Sequence, residues 1–509
     1  MPKRTKPTPP EKAQTLNFWL APIIILAGLV RLYNLDAIAI WHNEAVTAAV
    51  IRLPWLDLFR QLAADSIAPL FYILEKPWGL VFGTSIVALR LLPGLLGLVA
   101  VYAIFMFVRS AFAAQDSETP GKAERLALLA ALLLAISPLA AQYSQSAQPH
   151  AAAVLLALTS AGLLVQTLST GRISHGIYYS IAIGAGTYTS DYFLPALLAQ
   201  AFYIGYLAFR AAGQPAGNTT GKAAMSLLLG AILGLPQLYK LASGLQAYSL
   251  QLPGFWNGAE TVWKTMFAGV GTNRIAVSLG LLLVAVAVTY FVRSIKSEAK
   301  WLVLSSWLLP LLTALFITRP SEIDLAQSLP IASAFLAVIL ASVIFSMPTY
   351  SGRRILAVTL TAFTLLMFFK NWHELDAKNL FFGRHENRKP GAAGAMRFVN
   401  DTARVEDKIF AGSPFLLFSI EYYNQTGIEP SLYAPDALPD FLGQGLAQDR
   451  IVRDFGRAAK NDTAWVIWSR GFAGGKPIVP GNWEIIEEKY YADTPAFKGL
   501  IVVSEYHVD

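Results

Sequence analysis

The sequence predicts an α-helical polytopic membrane protein, a bundle of about eleven transmembrane helices, followed by a C-terminal soluble α/β domain. Long apolar segments recur up to residue 370 of the 509-residue chain. The chain is 55% hydrophobic and only 14% charged, whereas soluble domains carry about 25% charged residues. After residue 370 short β-rich runs alternate with amphipathic stretches. Most of the chain is therefore expected to lie in lipid, and its end in water.

A transmembrane helix needs about 20 mostly apolar residues, and the candidate segments follow one another with short polar breaks. The first comes after a basic, proline-rich tail, 1–16, and no small-residue cleavage site follows it, so we expect it to be retained. The candidate spans are 17–34, 86–108, 124–142, 149–168, 175–190, 193–210, 222–241, 274–293, 300–317, 328–346 and 354–370.

The segment 68–83 is ambiguous, because it is apolar but contains Pro69, Pro77 and Gly79. If it does not cross the membrane, the basic loops all fall on the N-terminal side, and the opposite loops 143–148 and 187–192 hold no Lys or Arg. Cytoplasmic loops are rich in Lys and Arg. The segment is therefore predicted to lie along the outer interface or to re-enter the membrane.

The odd number of spans places everything after residue 370 outside, which in a bacterium is the periplasmic side of the inner membrane. The predicted organisation is a cytoplasmic tail, 1–16, a transmembrane domain, 17–370, with an outer loop at 35–85, and a periplasmic α/β domain, 371–509. A domain of the latter size can hold its own core.

Composition and motifs exclude several classes of function. The absence of cysteine excludes disulfides, thiolate metal sites and cysteine nucleophiles. The net charge of +7 comes from short loops between apolar runs and indicates topology, not nucleic-acid binding. The sequence contains no Gly-rich phosphate loop, no HExxH and no nucleophile elbow. It also lacks the intramembrane acid chains of ion-coupled pumps and the inverted repeats of transporters.

A lone acid follows the first span, in the stretch Trp41-His42-Asn43-Glu44-Ala45. A carboxylate beside hydrocarbon is costly and by default functional. Glu44 is therefore a candidate general base, which deprotonates or orients a hydroxyl group. The alternative is structural: Glu44 caps the N-terminus of an interfacial helix, where a negative charge is favoured by about 0.3–1 kcal/mol.

Two further outer loops carry polar groups beside the membrane. The first runs from Tyr143 through Gln145 and Gln148 to His150 and is uncharged. It forms either a hydrogen-bonding wall or an ordinary helix start, with Pro149 at the first helical position; a lone histidine there is more often packed than catalytic.

The second loop, 188–192, places Asp191 between two tyrosines. Tyrosine is ordinary at a membrane interface, but an acid is not, and we expect Asp191 and Tyr192 to line a cavity. The cations of the later outer segments are either interface anchors or partners of an anionic ligand; Lys264 and Arg319 are the candidates for the second role.

Four stretches, in this order, resemble one known family, the GT-C class of polytopic glycosyltransferases. The branch is the ArnT-like and protein-mannosyltransferase-like one, which uses polyprenyl-phosphate sugars. The likeness covers 17–210 and extends to the later spans by architecture only. The stretches are Arg31-Leu32-Tyr33 through Trp41–Ala45 (family pattern W-x-D-E-A), Pro69–Tyr72 through Ala88–Pro93 (P-L-Y-Y…F-G…A-L-R-L-P), Ser137-Pro138 through Tyr143–His150 (S-P…Y-S-Q-E-A-R-P-Y) and Tyr188-Thr189 through Tyr192-Phe193 (Y-T-H-Y-F).

The resemblance implies a GT-C-like bundle that moves a hexose or pentose from a polyprenyl-phosphate donor to a lipid, glycan or protein acceptor, by direct displacement with inversion. Glu44 would then be catalytic, as base or orienter, and Lys264 or Arg319 would stabilise the phosphate leaving group. The implied partners are the donor lipid, membrane lipids and, in a membrane complex, a protein, but no nucleic acid. The implied substrate-binding residues are Asn43, Tyr143, Gln145, Gln148, His150, Asp191, Tyr192, Lys264 and Arg319.

Three charged positions of the family pattern are neutral in this chain, at Asn43, Ser146 and Gln148. An amide does not take a proton at pH 7, so Asn43 is not the base. The alternative hypotheses are a catalytically degenerate pseudoenzyme, acting as a binding or scaffold subunit, and a transporter or flippase. No cofactor is predicted with certainty, because a divalent cation wants several oxygen ligands and the stretch Trp41–Ala45 offers one acid.

Overall fold

The computed structural model describes residues 13–65, 67–113, 121–211, 218–244, 262, 274–316, 322–346, 391–436, 438, 441–470, 475–492 and 500–509. These residues are mostly helical and end in a mixed sheet, which confirms the predicted fold class. The helices are α1 (Ala13–Leu32), α2 (His42–Arg52), α3 (Trp55–Ala64), α4 (Leu70–Phe82), α5 (Ile86–Ala111), α6 (Lys122–Ala135), α7 (Pro138–Ser144), α8 (His150–Thr170), α9 (Ile173–Thr187), α10 (Leu194–Arg210), α11 (Asn218–Leu233), α12 (Leu235–Gly244), α13 (Arg274–Ser294), α14 (Ala299–Phe316), α15 (Glu322–Ser346), α16 (Ala392–Thr402), α17 (Pro414–Tyr423) and α18 (Gln444–Ala447).

Three helices of the described chain are long and apolar enough to cross a membrane: Ile86–Ala111, His150–Thr170 and Asp191–Arg210. The number rises to five if each of two bent pairs is one span: Lys122–Ala135 with Pro138–Ser144, bent by 62°, and Thr219–Leu233 with Leu235–Ala242, bent by 69°. Shorter apolar helices occur at Phe18–Leu32, Val284–Ser294, Ala299–Thr313 and Leu329–Phe345. The count of eleven stays a prediction, since the last predicted span, 354–370, lies outside the described residues.

The chain divides into two compact units. The bundle unit contains 13–33, 94–144 and the described residues of 150–346, and the sheet unit contains 34–93, 145–149 and the described residues of 391–509. The predicted domain boundaries stay a prediction.

Small residues allow close helix packing in the bundle unit. Helix α6 packs against α15, and its residues Ala123, Ala127, Ala130 and Ala131 are fully buried. Their spacing places them along one helical face, and small side chains let two membrane helices approach closely. The buried Arg31 closes the end of α6, because its Nη1 and Nη2 donate to the carbonyls of Ala135 and Leu134, at 2.8 Å each.

Contacts between loops at the helix ends show which loops of the bundle unit lie at the same end of the bundle. Three contacts join loops predicted to share the cytoplasmic side: Ser297 Oγ to the Ala111 carbonyl (2.8 Å), Arg210 to Glu298, and Lys222 Nζ to the Gly171 carbonyl (2.9 Å). The 21 residues of α8 from His150 to Thr170 rise about 30 Å. The loop beside Gly171 therefore lies one membrane thickness from the polar groups that surround His150.

The sheet unit is built on six strands in the order β3-β2-β1-β4-β6-β5. The first three pairings in that order are parallel, and β6 runs antiparallel to both β4 and β5. Helices α16 and α17 pack against the sheet. The strands are β1 (Lys408–Ala411), β2 (Ser431–Tyr433), β3 (Ile451–Val452), β4 (Thr463–Arg470), β5 (Trp483–Ala492) and β6 (Leu500–Val508).

The loop after the first span belongs to the same compact unit as the sheet. Helix α2 packs against α17, and three hydrogen bonds fix the contact: Ile40 N–H to Tyr423 Oη (2.8 Å), the Tyr422 hydroxyl to the Thr84 carbonyl (2.8 Å) and Gly443 N–H to Asp65 Oδ2 (2.8 Å). Loop and sheet therefore form one packed unit. The 13 residues of α4 rise about 20 Å, less than the roughly 30 Å of the hydrocarbon core.

Candidate functional site

The acid of the first loop is engaged in a buried ion pair. Glu44 lies in the first turn of α2 and is 1% exposed. Arg90 Nε donates to its Oε1 at 2.8 Å, and Arg90 Nη2 donates to its Oε2 at 2.6 Å. This is the bidentate geometry that a guanidinium makes with a carboxylate. The Ala147 N–H adds a third bond to Oε1, at 2.8 Å.

The same groups organise the backbone around them. Arg90 Nη1 donates to the carbonyls of Leu35 (2.7 Å) and Ile38 (3.0 Å), which shapes the turn before α2. Thr47, one turn after Glu44 on α2, donates from Oγ1 to the Ala147 carbonyl at 3.1 Å. Glu44 and Thr47 thus bind both backbone polar groups of Ala147. We call Glu44, Arg90 and Ala147 the Glu44 clamp.

The predicted substrate-binding residues near the clamp are its close sequence neighbours. Asn43 and Gln145 are half-buried, and Gln148 is buried. No described residue hydrogen-bonds the Asn43 side chain, while its carbonyl accepts from Thr47 Oγ1 at 3.0 Å. The structure therefore brings Asn43 and the segment 145–148 together, within the sheet unit, around a clamp that holds them in place. The roles of these residues stay predictions.

The other predicted residues meet in the bundle unit. Asp191 Oδ1 accepts a hydrogen bond from Gln237 Nε2 (3.3 Å), and the Tyr192 hydroxyl donates to Gln327 Oε1 (3.5 Å). Contacts between rings extend the group: the centroid of the His150 ring lies 4.8 Å from that of Tyr143, in an edge-on arrangement, and 5.8 Å from that of Tyr192. We call Tyr143, His150, Asp191, Tyr192, Gln237, Lys240 and Gln327 the Asp191 cluster.

Asp191 is the exposed member of this cluster, whereas Tyr143, His150, Gln237 and Gln327 are buried. The exposed Asp191 therefore lies beside buried amide and aromatic side chains. Lys240, one turn after Gln237 on α12, interacts electrostatically with Asp191. The cluster combines a negative charge, a positive charge, amides and aromatic faces at one end of the bundle.

Close packing of small residues holds Asp191 opposite Gln237. A side chain at Gly186 would collide with the Phe193 ring, so the turn after α9 folds tightly onto its own helix. A side chain at Gly234, where α11 bends into α12, would fall 2.2 Å from Thr187 Oγ1. The bend therefore presses the start of α12 against the end of α9, beside the turn that carries Asp191.

A small cavity of about 10 Å³ lies beneath the cluster within the bundle unit. It has room for about one water molecule and is too small for a sugar. Its lining includes Arg31, Tyr143, Ser144, His150, Val154 and Pro330.

Helix α4 carries a buried acid that the sequence did not single out. Glu75 is 0% exposed, and neither of its carboxylate oxygens has a hydrogen-bond partner among the described residues. Burial raises the pKa of Glu75 to about 8. Tyr72, one turn earlier on the same helix, is an ionisable group that interacts with it. The neighbouring Lys76 points elsewhere, because its Nζ donates to the carbonyls of Ile51 (2.9 Å) and Leu53 at the end of α2.

The two predicted phosphate-binding cations, Lys264 and Arg319, lie outside the described residues. Within the described part of the chain, no three His, Asp or Glu side chains come together as metal ligands would. The motifs in the sequence contain Arg31 and Arg90 but do not predict their partners. The sequence also does not predict a functional role for Glu75, Gln237 or Gln327. The signal for the arginines was a charge within an apolar segment; the two glutamines gave none.

No protein-family model matches the sequence, and no curated protein does. Solved structures do. ArnT from Cupriavidus metallidurans bound to undecaprenyl phosphate matches with a TM-score of 0.54 and 12% identity, over 96% of this chain and 97% of that one. The same protein in the apo state gives a TM-score of 0.52 and 11% identity over the same shares.

The oligosaccharyltransferase of Archaeoglobus fulgidus, in complex with Zn and sulfate, gives a TM-score of 0.44 and 14% identity. That match covers 82% of this chain, which spans only 59% of the archaeal protein. At 12% identity the match to ArnT establishes a fold and no chemistry. The chain has the GT-C fold of ArnT.

Proposed function

We propose that this protein is an integral-membrane glycosyltransferase. It moves a sugar from a polyprenyl-phosphate donor to a hydroxyl group of a lipid, glycan or protein on the periplasmic face of a bacterial inner membrane. The likeness to ArnT over nearly the whole of both chains supports the proposal, and one of those ArnT structures holds undecaprenyl phosphate. That lipid is the carrier part of such a donor.

The Asp191 cluster is the observation that carries the proposal. A sugar offers many hydroxyl groups and an apolar ring face, and sites that bind it combine hydrogen-bonding side chains with aromatic rings. The cluster supplies Gln237, Gln327, Tyr192 and an open carboxylate at one end of an apolar bundle. Polar groups so placed beside a membrane are costly unless they bind a ligand or one another.

The cluster lies at the end of the bundle that the charge pattern assigns to the outer face. The basic loops joined through Ala111, Ser297 and Arg210 lie at the other end. Polyprenyl-phosphate sugars with their head groups at the outer face would reach the cluster from the outer leaflet. Lys264 and Arg319, from the outer segments 242–273 and 318–327, are our candidates for the phosphate.

Glu44 has a positioning role in this proposal. Its two oxygens bind Arg90 and the Ala147 N–H, so the carboxylate holds α2, the turn before it and the segment 145–148 in one arrangement. Removing one partner of a buried ion pair leaves an uncompensated charge, at about 3–5 kcal/mol. The clamp is therefore a strong constraint on the loop that carries Asn43.

A second candidate function has its own observation. Asn43 is neutral, and both oxygens of the neighbouring Glu44 carboxylate are already hydrogen-bonded to Arg90 and Ala147. These two observations favour a GT-C-fold scaffold that binds lipid or protein without sugar transfer. Such a scaffold would copurify with a stoichiometric protein partner.

Incubation of the purified full-length protein in lipid vesicles with radiolabelled polyprenyl-phosphate hexose and pentose donors and an envelope lipid and glycan extract separates the two functions. We expect label to move to the extract only when both donor and protein are present. An unchanged donor, together with a copurifying partner, would refute the transferase and support the scaffold.

A further inference from the structure

Sugar transfer to a hydroxyl group needs a proton acceptor. The acceptor oxygen attacks C1 of the sugar, the bond from C1 to the phosphate oxygen breaks, and its electron pair leaves with the phosphate. The acceptor O–H bond breaks as well, so one proton must pass to a base near the attacking oxygen. The chain must supply that base or leave the step to solvent.

The stretch Trp41–Ala45 offers no open carboxylate. Asn43 is an amide, and Glu44 is buried with both oxygens bound to donors, two of them on a guanidinium. A hydroxyl group approaching Glu44 would have to displace Arg90, and Arg90 would then keep only the carbonyl oxygens of the turn before α2 as partners. That rearrangement breaks the clamp that shapes the loop.

Asp191 differs from Glu44 in each respect. The residue is exposed at the surface, although its neighbours partly desolvate the carboxylate, and within the described chain that carboxylate makes one hydrogen bond, from Gln237 Nε2 to Oδ1. The second oxygen can therefore accept a donor from outside the protein. Gln237 is buried and fixed by the tight approach of α12 to α9, so the hydrogen bond sets the orientation of the carboxylate.

We infer that Asp191 is the catalytic base of the transfer, and that it accepts the proton of the acceptor hydroxyl group at its open oxygen. The inference rests on the proposed function. It moves the proton-accepting role from the first outer loop to the turn between α9 and α10. This relocation accounts for a neutral residue at position 43 in a chain that keeps Glu44 and Arg90 as a clamp.

The test compares two nucleophiles in the vesicle assay, hydroxyl acceptors from the envelope extract and azide. Azide attacks C1 without losing a proton, so it needs no base. We expect Asp191→Asn to lower hydroxyl transfer by about 10²–10⁴-fold and to form glycosyl azide as fast as the unaltered protein. The matched control is Asp57→Asn, since Asp57 is an exposed acid that pairs with Arg60 in the sheet unit; we expect no change in either product.

Each other outcome is decisive. Full hydroxyl transfer by Asp191→Asn would show that Asp191 accepts no proton, with the transferase intact. Loss of both products in Asp191→Asn, with a monodisperse gel-filtration profile, would show that Asp191 binds substrate instead of accepting the proton. Formation of neither product by the unaltered protein would refute the proposed transferase, and this inference with it.

Discussion

Replacing Glu75 by glutamine tests whether burial controls the ionisation of this acid. Glu75 is fully enclosed on α4, and burial raises its pKa from an ordinary 4.5 to about 8. The carboxyl group is therefore neutral in the folded protein at pH 7 and ionised in the unfolded chain. Glu75→Gln keeps the size of the side chain and removes the titration.

The size of the effect follows from the two pKa values. Below pH 4.5 the group is protonated in both states and does not affect the pH dependence of folding. Between pH 4.5 and about 8 only the folded state holds the proton, so the free energy of unfolding falls by about 1.4 kcal/mol per pH unit. The fall amounts to about 5 kcal/mol and stops above pH 8. Entry of water around the ionised group would reduce it.

The assay is thermal unfolding of the detergent-solubilised protein from pH 5 to pH 9. We expect the melting temperature of Glu75→Gln to rise relative to the unaltered protein as pH increases, by roughly 4 °C across the range for a chain of 509 residues. Glu406→Gln, at an exposed glutamate of the same unit, should follow the unaltered protein at every pH. A difference between Glu75→Gln and the unaltered protein that does not vary with pH would refute the reasoning.

Two further predictions concern the loop after the first span. Arg90→Ala should destabilise the protein by about 3–5 kcal/mol, because Glu44 stays buried and charged, and adding Glu44→Gln should recover part of the loss in denaturant unfolding; strict additivity of the two changes would contradict the clamp. Burial lowers the pKa of His42 to about 4, so the stability present above pH 6.5 should be lost as pH falls towards 4, by up to about 3 kcal/mol. His42→Phe should abolish that loss in acid unfolding curves, whereas a substitution at the half-exposed His507 should not.

The sequence predicted the membrane fold well, because an apolar segment about 20 residues long has few structural alternatives. Its predicted spans coincide with helices wherever the structure describes them. The bends were harder to predict. The sequence predicts 124–142 and 222–241 as single spans, yet each bends by more than 60°, before Pro138 and at Gly234. A proline or glycine inside an apolar run marks where a bend can occur. Whether the helix bends at Gly234 depends on tertiary packing, here the close contact with Thr187.

The sequence indicated which residues belong to the candidate site, but not which residues they would contact. Asp191 stood out because an acid is unusual at a membrane interface. Its partner Gln237 lies 46 residues later, and nothing in the local pattern marks that glutamine. Glu44 stood out for the same reason, yet whether it is open or clamped depends on Arg90, also 46 residues away. Charge is visible in a sequence, whereas the pairing of charges is a tertiary property.

The central claim is that this GT-C fold transfers a sugar although residue 43 is neutral. Its most direct test is donor turnover by the unaltered protein and by Asn43→Asp. The quantity measured is the polyprenyl phosphate released per protein from a labelled donor, with and without acceptor. We predict that the unaltered protein releases it in step with glycosylated acceptor, and that Asn43→Asp changes the rate less than Asp191→Asn does. No release by the unaltered protein, with turnover appearing in Asn43→Asp, would contradict this account and identify the chain as a degenerate member of its fold.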